Sequence, residues 1–156
     1  SIHANAYKDM NYPLLAKSGI LCPELVKDAF LINRETKNHY PWLFIYDDTP
    51  TARNDKELLK SVTIYRNSFV STIFCTQSPT LLNPTCRSNF NFVMLFKLNA
   101  TEQIENVIKV WLRGYFPKGW TYEEKIRHYR EMTEDHHFIF LDNLNSKIYR
   151  CRIDID

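Results

Sequence analysis

Glycine is scarce in this chain of 156 residues, which has only Gly19, Gly114 and Gly119. A phosphate-binding loop of the pattern Gly-x-x-x-x-Gly-Lys-Ser/Thr does not occur anywhere in the sequence. The backbone amides of such a loop cradle the phosphates of a nucleotide. The sequence therefore excludes a loop of this kind within the chain.

Three other features are also weak or missing. The formal net charge is only +2, so any contact with nucleic acid has to come from a local surface. No apolar stretch approaches the roughly 20 residues that a membrane-spanning helix needs, so no such helix is expected. No Cys-x-x-Cys pair occurs, which favours a reducing, intracellular compartment. The widely spaced cysteines are Cys22, Cys75, Cys86 and Cys151.

The composition is that of a packed protein. Hydrophobic residues make up 44% and aromatic residues 14% of the chain, which gives no indication of disorder. A chain of this length can bury a substantial core. We therefore expect a single domain over residues 1–156, irregular with one helix over 1–35.

The most informative stretch is the apolar run from Trp42 to Tyr46, which ends in Asp47 and Asp48. An uninterrupted apolar run predicts a strand buried on both faces, as in parallel α/β sheets. Carboxylates at the end of such a strand can hold a divalent cation or accept a proton from water. The alternative is a strand followed by an ordinary turn, because Asp residues favour turns for hydrogen-bonding reasons of their own.

Hydrophobic periodicity and capping residues predict the other elements. Two helices should bury a stripe of side chains, which comprises Ile104, Val107, Ile108, Trp111 and Leu112 in one and Tyr122, Ile126 and Tyr129 in the other. Helices are expected at 23–32, 55–65 (capped by Asn54), 99–114 (capped by Asn99) and 121–132 (capped by Thr121 with Glu124); strands are expected at 69–75, 90–96, 138–141 and 148–153. The last two strands should form a hairpin. This order predicts an α/β layered sheet, partly parallel, with a hairpin at its C-terminal edge.

Polar residues follow the second strand and precede the third. Thr76 and Gln77 end the second strand, and Arg87 and Asn89 come just before the third. Because parallel strands end at the same edge of a sheet, Asp47, Asp48 and Gln77 should converge on one ligand. The alternatives are structural: Thr76 and Gln77 simply end a strand, and Arg87 and Asn89 hold a loop through hydrogen bonds.

This ordered set of motifs resembles the genome-packaging ATPases of large DNA viruses, the poxvirus-type branch of the FtsK/HerA superfamily. It comprises a strand ending in Asp-Asp, a helix ending at Arg66, a strand ending in Thr-Gln, Arg-Ser-Asn, and a strand ending in Phe-Lys. The resemblance covers residues 40–156. Tyr65 and Asn67 flank Arg66 where the family usually shows Gly-Arg-His, and the phosphate-binding loop is missing.

The resemblance implies a RecA/FtsK-like layered, mostly parallel sheet with flanking helices and a C-terminal hairpin. By this resemblance Asp47 holds Mg²⁺ in the Walker B role, Asp48 is the catalytic base, and Gln77 is the polar sensor of the γ-phosphate. Arg87 acts on the nucleotide of a neighbouring subunit, and Arg66 and Asn89 are additional candidates.

The same resemblance implies Mg²⁺ and ATP as cofactors. The implied partners are double-stranded DNA, a viral capsid and further copies in a homo-oligomeric ring. The expected location is the host cytoplasm or nucleus at viral assembly sites, or the virion. Without the phosphate-binding loop, we expect the chain to be the C-terminal portion of a longer P-loop ATPase and to be inactive alone.

Other functions remain open at the level of sequence. One is a non-enzymatic α/β binding or capsid-associated module. Another is a metal-dependent nuclease using Asp47, Asp48 and Asp142, although nuclease sites generally gather more carboxylates around two ions. A basic stretch near Trp120 and Tyr122 is either a solvated helix face or a contact with the DNA backbone; it contains Arg113, Lys118, Lys125, Arg127 and Arg130.

Overall fold

The computed structural model describes residues 23–47 and 56–154, so Asp48 and the expected cap Asn54 lie outside the described residues. Elements are numbered here within the described part of the chain. The helices are α1 (Pro23–Glu35), α2 (Lys56–Thr63), α3 (Pro84–Ser88), α4 (Thr101–Trp111) and α5 (Tyr122–Met132), with 3-10 helices at Tyr65–Ser68 and Pro79–Leu81. The strands are β1 (Trp42–Asp47), β2 (Val70–Cys75), β3 (Phe92–Leu95), β4 (His137–Asp142) and β5 (Lys147–Arg152).

The described residues form two compact units. The first contains residues 23–47 and 56–75, and the second contains residues 76–154. The mixed α/β class predicted from the sequence is confirmed, with a parallel pair in the first unit and an antiparallel sheet in the second. The expectation of a single domain stays a prediction.

In the first unit, β1 and β2 pair in parallel, from Trp42 opposite Val70 to Asp47 opposite Cys75. Helices α1 and α2 pack together, and the rings of Phe30 and Tyr65 stack with centroids 4.4 Å apart. The buried side chain of Asn33 donates to the carbonyl of Ser68 and accepts from the backbone N–H of Tyr40. A buried amide with both hydrogen-bonding groups satisfied fixes α1 against the segment that leads into β2.

The expectation that β1 is buried on both faces is wrong. Burial alternates along the strand, with Tyr46 buried on one face while Leu43 and Ile45 on the other are 57% and 51% exposed. Ile73 of β2 is exposed on the same side as Leu43 and Ile45. Within the described residues, one face of the pair is therefore well covered and the other is open, which a run of apolar letters cannot distinguish.

The second unit contains a three-stranded antiparallel sheet in the order β3, β4, β5. The expected third strand exists, but it pairs antiparallel with β4 rather than extending a parallel sheet. Two successive helices, α4 and α5, separate β3 from β4, and the chain returns in the opposite direction after them. The predicted hairpin is confirmed, with β4 and β5 antiparallel from His137 opposite Arg152 to Asp142 opposite Lys147.

Helices α4 and α5 build the core of the second unit. The predicted stripe of α4 is confirmed, because Ile104, Val107 and Ile108 are buried against Leu95, Ile139 and Leu141 of the sheet. The hydroxyl of Tyr129 in α5 donates to the carbonyl of Phe96 over 2.6 Å. Tyr122, also predicted to face the core, is instead 50% exposed.

Of the three predicted helix caps, the two that lie in the described residues have different outcomes. Thr121 and Glu124 form the expected capping box, in which each side chain bonds the backbone N–H of the other residue. The predicted cap Asn99 is wrong, because α4 begins after Ala100 and no side chain caps it. In the part of the chain that the structure describes, no helix has the length and apolar character needed to cross a bilayer.

Candidate functional site

The carboxyl end of the parallel pair carries the first predicted site residue. Asp47 is the last residue of β1, lies opposite Cys75 of β2, and is exposed. Pairing in parallel register places the ends of both strands at the same edge. Asp48, the predicted catalytic base, follows directly in the sequence but lies outside the described residues.

The negative charge of Asp47 acts on Cys75, which lies opposite it on the neighbouring strand. Partial burial raises the pKa of the Cys75 thiol, and the negative charge of Asp47 raises it further. A raised thiol pKa means that the edge disfavours additional negative charge. Of the two causes, only the charge of Asp47 acts selectively against negative charge, because burial disfavours charge of either sign.

Thr76 and Gln77 follow β2 directly and begin the second unit. The hydroxyl of Thr76 donates to the carbonyl of Ser78 over 3.0 Å and accepts from the Ser78 amide over 3.3 Å. Ser78 in turn caps the 3-10 helix that begins at Pro79. Thr76 thus fixes a turn, while the side chain of Gln77 is exposed.

Arg87 and Asn89 belong to a short helix and its C-cap rather than to an irregular loop. Arg87 lies in the last turn of the short helix α3, which Asn83 caps and Asn89 ends. The side-chain amide of Asn89 donates to the carbonyl of Thr85 over 2.8 Å. This bond closes the helix, which favours the structural interpretation for Asn89, whereas Arg87 is half-buried.

The predicted site residues are distributed over both units. Asp47 belongs to the first unit, whereas Gln77, Arg87 and Asn89 belong to the second. Within the first unit the structure brings Asp47 and Cys75 together. Arg66 lies in the 3-10 helix Tyr65–Ser68, and only its backbone belongs to the described structure. The convergence of Asp47, Asp48 and Gln77 on one ligand stays a prediction.

Asp142, the third carboxylate of the nuclease alternative, is engaged in a turn. Its carboxylate accepts from the backbone amides of Leu144 and Asn145 over 3.0 Å each, and from the Asn145 side chain over 2.8 Å. These bonds, the Asn145 side chain first, lower the pKa of Asp142. Its oxygens hold the hairpin turn between β4 and β5, and the described residues contain no group of three or more metal-ligating side chains.

The second unit also contains a cavity lined by cations, which was not predicted from the sequence. Lys109 and Arg113 line it from the end of α4, and Lys125 lines it from α5. Arg113 and Lys125 belong to the basic stretch seen in the sequence, but Lys109 was not recognised. Lys109 lies in the last turn of α4 and Arg113 just beyond the C-cap Leu112, so no helical spacing in the sequence indicated that they line one cavity.

The fold defines the class of protein to which this chain is similar. Its mixed α/β architecture is that of a viral genome-packaging ATPase. No family model matches the sequence, and no curated protein matches it either. The likeness is therefore one of three-dimensional structure.

The particular structures are those of the genome-packaging NTPase B204 from Sulfolobus turreted icosahedral virus 2. The complex of B204 with sulfate matches 96% of this chain and 77% of its own, at a TM-score of 0.63 and 12% identity. The complex with ATP-γS matches 90% and 66%, at a TM-score of 0.60 and 13% identity. The complex with AMPPCP matches 85% and 65%, at a TM-score of 0.59 and 12% identity. In the two nucleotide-analogue complexes, the match thus spans slightly less than two thirds of B204.

Proposed function

We propose that this chain is a subunit, or the C-terminal portion of a subunit, of an ATP-driven motor that packages double-stranded DNA into a viral capsid. The observation that carries the proposal is the fold shared with B204, a packaging NTPase studied with nucleotide analogues. The exposed carboxylate of Asp47 at the end of a parallel strand supports it. Ligands of open α/β sheets bind beyond these strand ends.

Asp47 suits the first shell of Mg²⁺. Magnesium usually keeps several waters and needs only one or two protein carboxylates beside the phosphates of its nucleotide. A single exposed carboxylate at an edge that disfavours further negative charge is compatible with that mode of binding. Bound Mg²⁺ would neutralise charge that develops on the phosphates of ATP during hydrolysis.

The remaining roles follow the family resemblance. Asp48 would accept a proton from the attacking water, and Gln77 would contact that water or the γ-phosphate. Arg87 would supply positive charge to the nucleotide of a neighbouring subunit in a homo-oligomeric ring. Arg66 is an additional candidate for that role. Asn89 is a weaker candidate, because its side chain closes α3.

The phosphate-binding loop has to come from outside this sequence. The pattern Gly-x-x-x-x-Gly-Lys-Ser/Thr is missing from it, and the acidic strand end alone offers no cradle for phosphates. We propose that a further part of the same gene product supplies the loop. The motor would work at viral assembly sites in the host cytoplasm or nucleus, in contact with the capsid.

A second candidate function is a binding module that keeps the α/β scaffold without nucleotide chemistry. The missing phosphate-binding loop favours it. The two candidates differ in one measurable property, which is whether nucleotide affinity depends on Mg²⁺ through Asp47.

The test compares ATP hydrolysis and nucleotide binding by the full-length gene product with and without Mg²⁺. Asp47→Asn should lower Mg²⁺-dependent turnover by roughly a hundredfold or more, because a positioned catalytic group contributes at least that much. Asp28→Asn removes another exposed carboxylate of the first unit and should leave turnover unchanged. The present chain alone should show no turnover above background.

Two results would contradict the proposal. One is Mg²⁺-dependent turnover by this chain alone that disappears in Asp48→Asn, since the chain would then not need an external phosphate-binding loop. The other is a full-length product whose nucleotide affinity ignores both Mg²⁺ and Asp47→Asn. The second result would support the non-enzymatic binding module.

A further inference from the structure

The second unit contains a cavity of about 210 Å³ between the end of α4 and the start of α5. Its lining combines three cations, namely Lys109, Arg113 and Lys125, with apolar and aromatic side chains. The other lining residues are Ile108, Phe116 and Tyr122. Among the described residues that line this cavity, none is acidic. A concave site that is lined by positive side chains and has an apolar base is suited to an anion.

Hydrogen bonds from Thr121, and to a smaller extent the charges of Arg127 and Lys125, lower the pKa of Glu124, so nearby acidic charge balances the three cations of the cavity only in part. Within the part of the chain that the structure describes, none of them forms an ion pair with an acidic side chain. Lys125 lies over the ring of Tyr122, with its Nζ 5.3 Å from the ring centroid. The neighbouring Glu124 turns its carboxylate to the backbone N–H and hydroxyl of Thr121 instead. The positive charge around the cavity therefore remains available to a ligand.

Helix dipoles do not explain this arrangement. Lys109 lies in the last turn of α4 and Arg113 directly follows its C-cap Leu112, where a cation is favourable to the helix itself. Lys125 lies instead near the N-terminal end of α5, where the helix dipole disfavours a cation. A favourable interaction with the helix dipole explains the positions of Lys109 and Arg113, but it does not explain the position of Lys125.

The base of the cavity is held by packing. Ile108 is buried in the core, and Phe116 lies half-buried beside it in the α4–α5 connection. The ring of Phe116 contacts Trp120 and His128, with centroid distances of 5.9 Å and 6.2 Å. The connection that shapes the cavity is thus fixed by aromatic contacts.

We propose that this cavity binds a phosphate group of the DNA backbone. The choice of DNA over a free phosphate rests on the proposed packaging function, while the preference for a phosphate anion rests on the cavity itself. Phosphate binding needs only positioned cations and reads no base sequence. The cavity would therefore be a sequence-independent contact for a motor that moves along any duplex.

The test is a titration of a fluorescently labelled 30-base-pair duplex with the full chain, followed by anisotropy over a series of salt concentrations without nucleotide. The variant Lys109→Gln/Arg113→Gln/Lys125→Gln should bind roughly tenfold or more weakly. It should also reduce the slope of log affinity against log salt by about 1, since one neutralised phosphate contributes about 0.9.

The matched control removes the same charge elsewhere. Lys27→Gln/Lys97→Gln/Lys147→Gln replaces three exposed lysines outside the cavity and should leave the salt slope nearly unchanged. Circular dichroism and thermal melting of both variants confirm that they are folded. An equal loss of duplex affinity in the two variants would mean that net charge alone causes the loss, and it would overturn the proposal. Failure of the wild-type protein to bind the duplex would also overturn it.

A competition arm separates DNA from free phosphate as the ligand. Inorganic phosphate at millimolar concentration should displace little duplex, because a multivalent backbone makes several contacts at once. Binding of inorganic phosphate is measured by calorimetry for the wild type and for Lys109→Gln/Arg113→Gln/Lys125→Gln. If this variant loses phosphate binding but binds the duplex as well as the wild type does, the assignment to DNA is contradicted. Duplex binding is measured without nucleotide, so its outcome is distinguishable from the Asp47 test of the packaging ATPase.

Discussion

Asp47 and Cys75 lie opposite each other across the two parallel strands, and this pairing makes one side chain a reporter on the other. The pKa of Cys75 is raised first by burial and then by the negative charge of Asp47. A thiol reacts through its thiolate, so its alkylation rate follows its pKa. The chemistry of Cys75 thus reports on the candidate metal site without any nucleotide.

We expect Asp47→Asn to lower the pKa of Cys75, because the variant removes a negative charge that opposes the thiolate. The pH midpoint for alkylation by iodoacetamide should move to a lower value, while remaining above the ordinary one since burial persists. Peptide-resolved mass spectrometry separates Cys75 from the other cysteines. Asp28→Asn serves as the control, and an unchanged profile in Asp47→Asn would contradict the observed register of β1 and β2.

The sequence predicted Asp47 at the end of β1 because an apolar run followed by acidic residues is a local signal. It did not predict Cys75 as the partner, since strand register depends on the packing of distant segments. The exposure of Leu43 and Ile45 was missed for the same reason. Apolar residues predict a strand, but the layers that cover it are determined elsewhere in the chain.

Among the elements, one predicted cap was confirmed and another, Asn99, was wrong, while the short helix α3 was missed. The capping box of Thr121 and Glu124 was found because both residues bond within one turn. Helix α3 was missed, although Asn83 fits the N-cap and Pro84 the first helical position. A helix of this length has no periodic stripe, so two prolines in sequence favoured a loop instead.

The turn between β4 and β5 gives the prediction at this scale. The hydrogen bonds from Asn145 and Leu144 lower the pKa of Asp142 in the folded protein. A carboxyl whose pKa is lower when folded stabilises the protein above its unfolded pKa, near 4. That contribution is lost as the pH falls through the folded pKa.

We therefore expect the stability of the wild-type protein to fall more steeply below about pH 4 than that of Asp142→Asn, which has no proton to gain there. Urea unfolding midpoints measured from pH 7 down to pH 2.5 check this, with differences between variants removing the contribution of the other carboxyls. Asp28→Asn should follow the wild type. Parallel pH profiles for the wild type and Asp142→Asn would show that the turn bonds contribute nothing to folding.

At the scale of the whole molecule, the described residues of the two units differ in the core that they form. The large buried cluster belongs entirely to the second unit, where α4 and α5 pack on the antiparallel sheet around Ile104, Tyr129 and Ile139. The first unit has a parallel pair with one open face. The stripes of α4 and α5 predicted the members of the large cluster that these two helices and the C-cap Leu112 contribute. Hydrophobic periodicity carries no information about the division into units.

The final prediction concerns independent folding. We expect residues 76–156 alone to unfold in urea in one cooperative transition, because three strands with packed helices suffice for a stable core. Residues 23–75 alone should be at most marginally folded, since two strands rarely hold together by themselves. Ile104→Ala should lower the free energy of unfolding of 76–156 by about 2–5 kcal/mol, because Ile104 is fully buried. An unfolded 76–156 fragment would instead support the single domain predicted from the sequence, with its core dependent on the first unit.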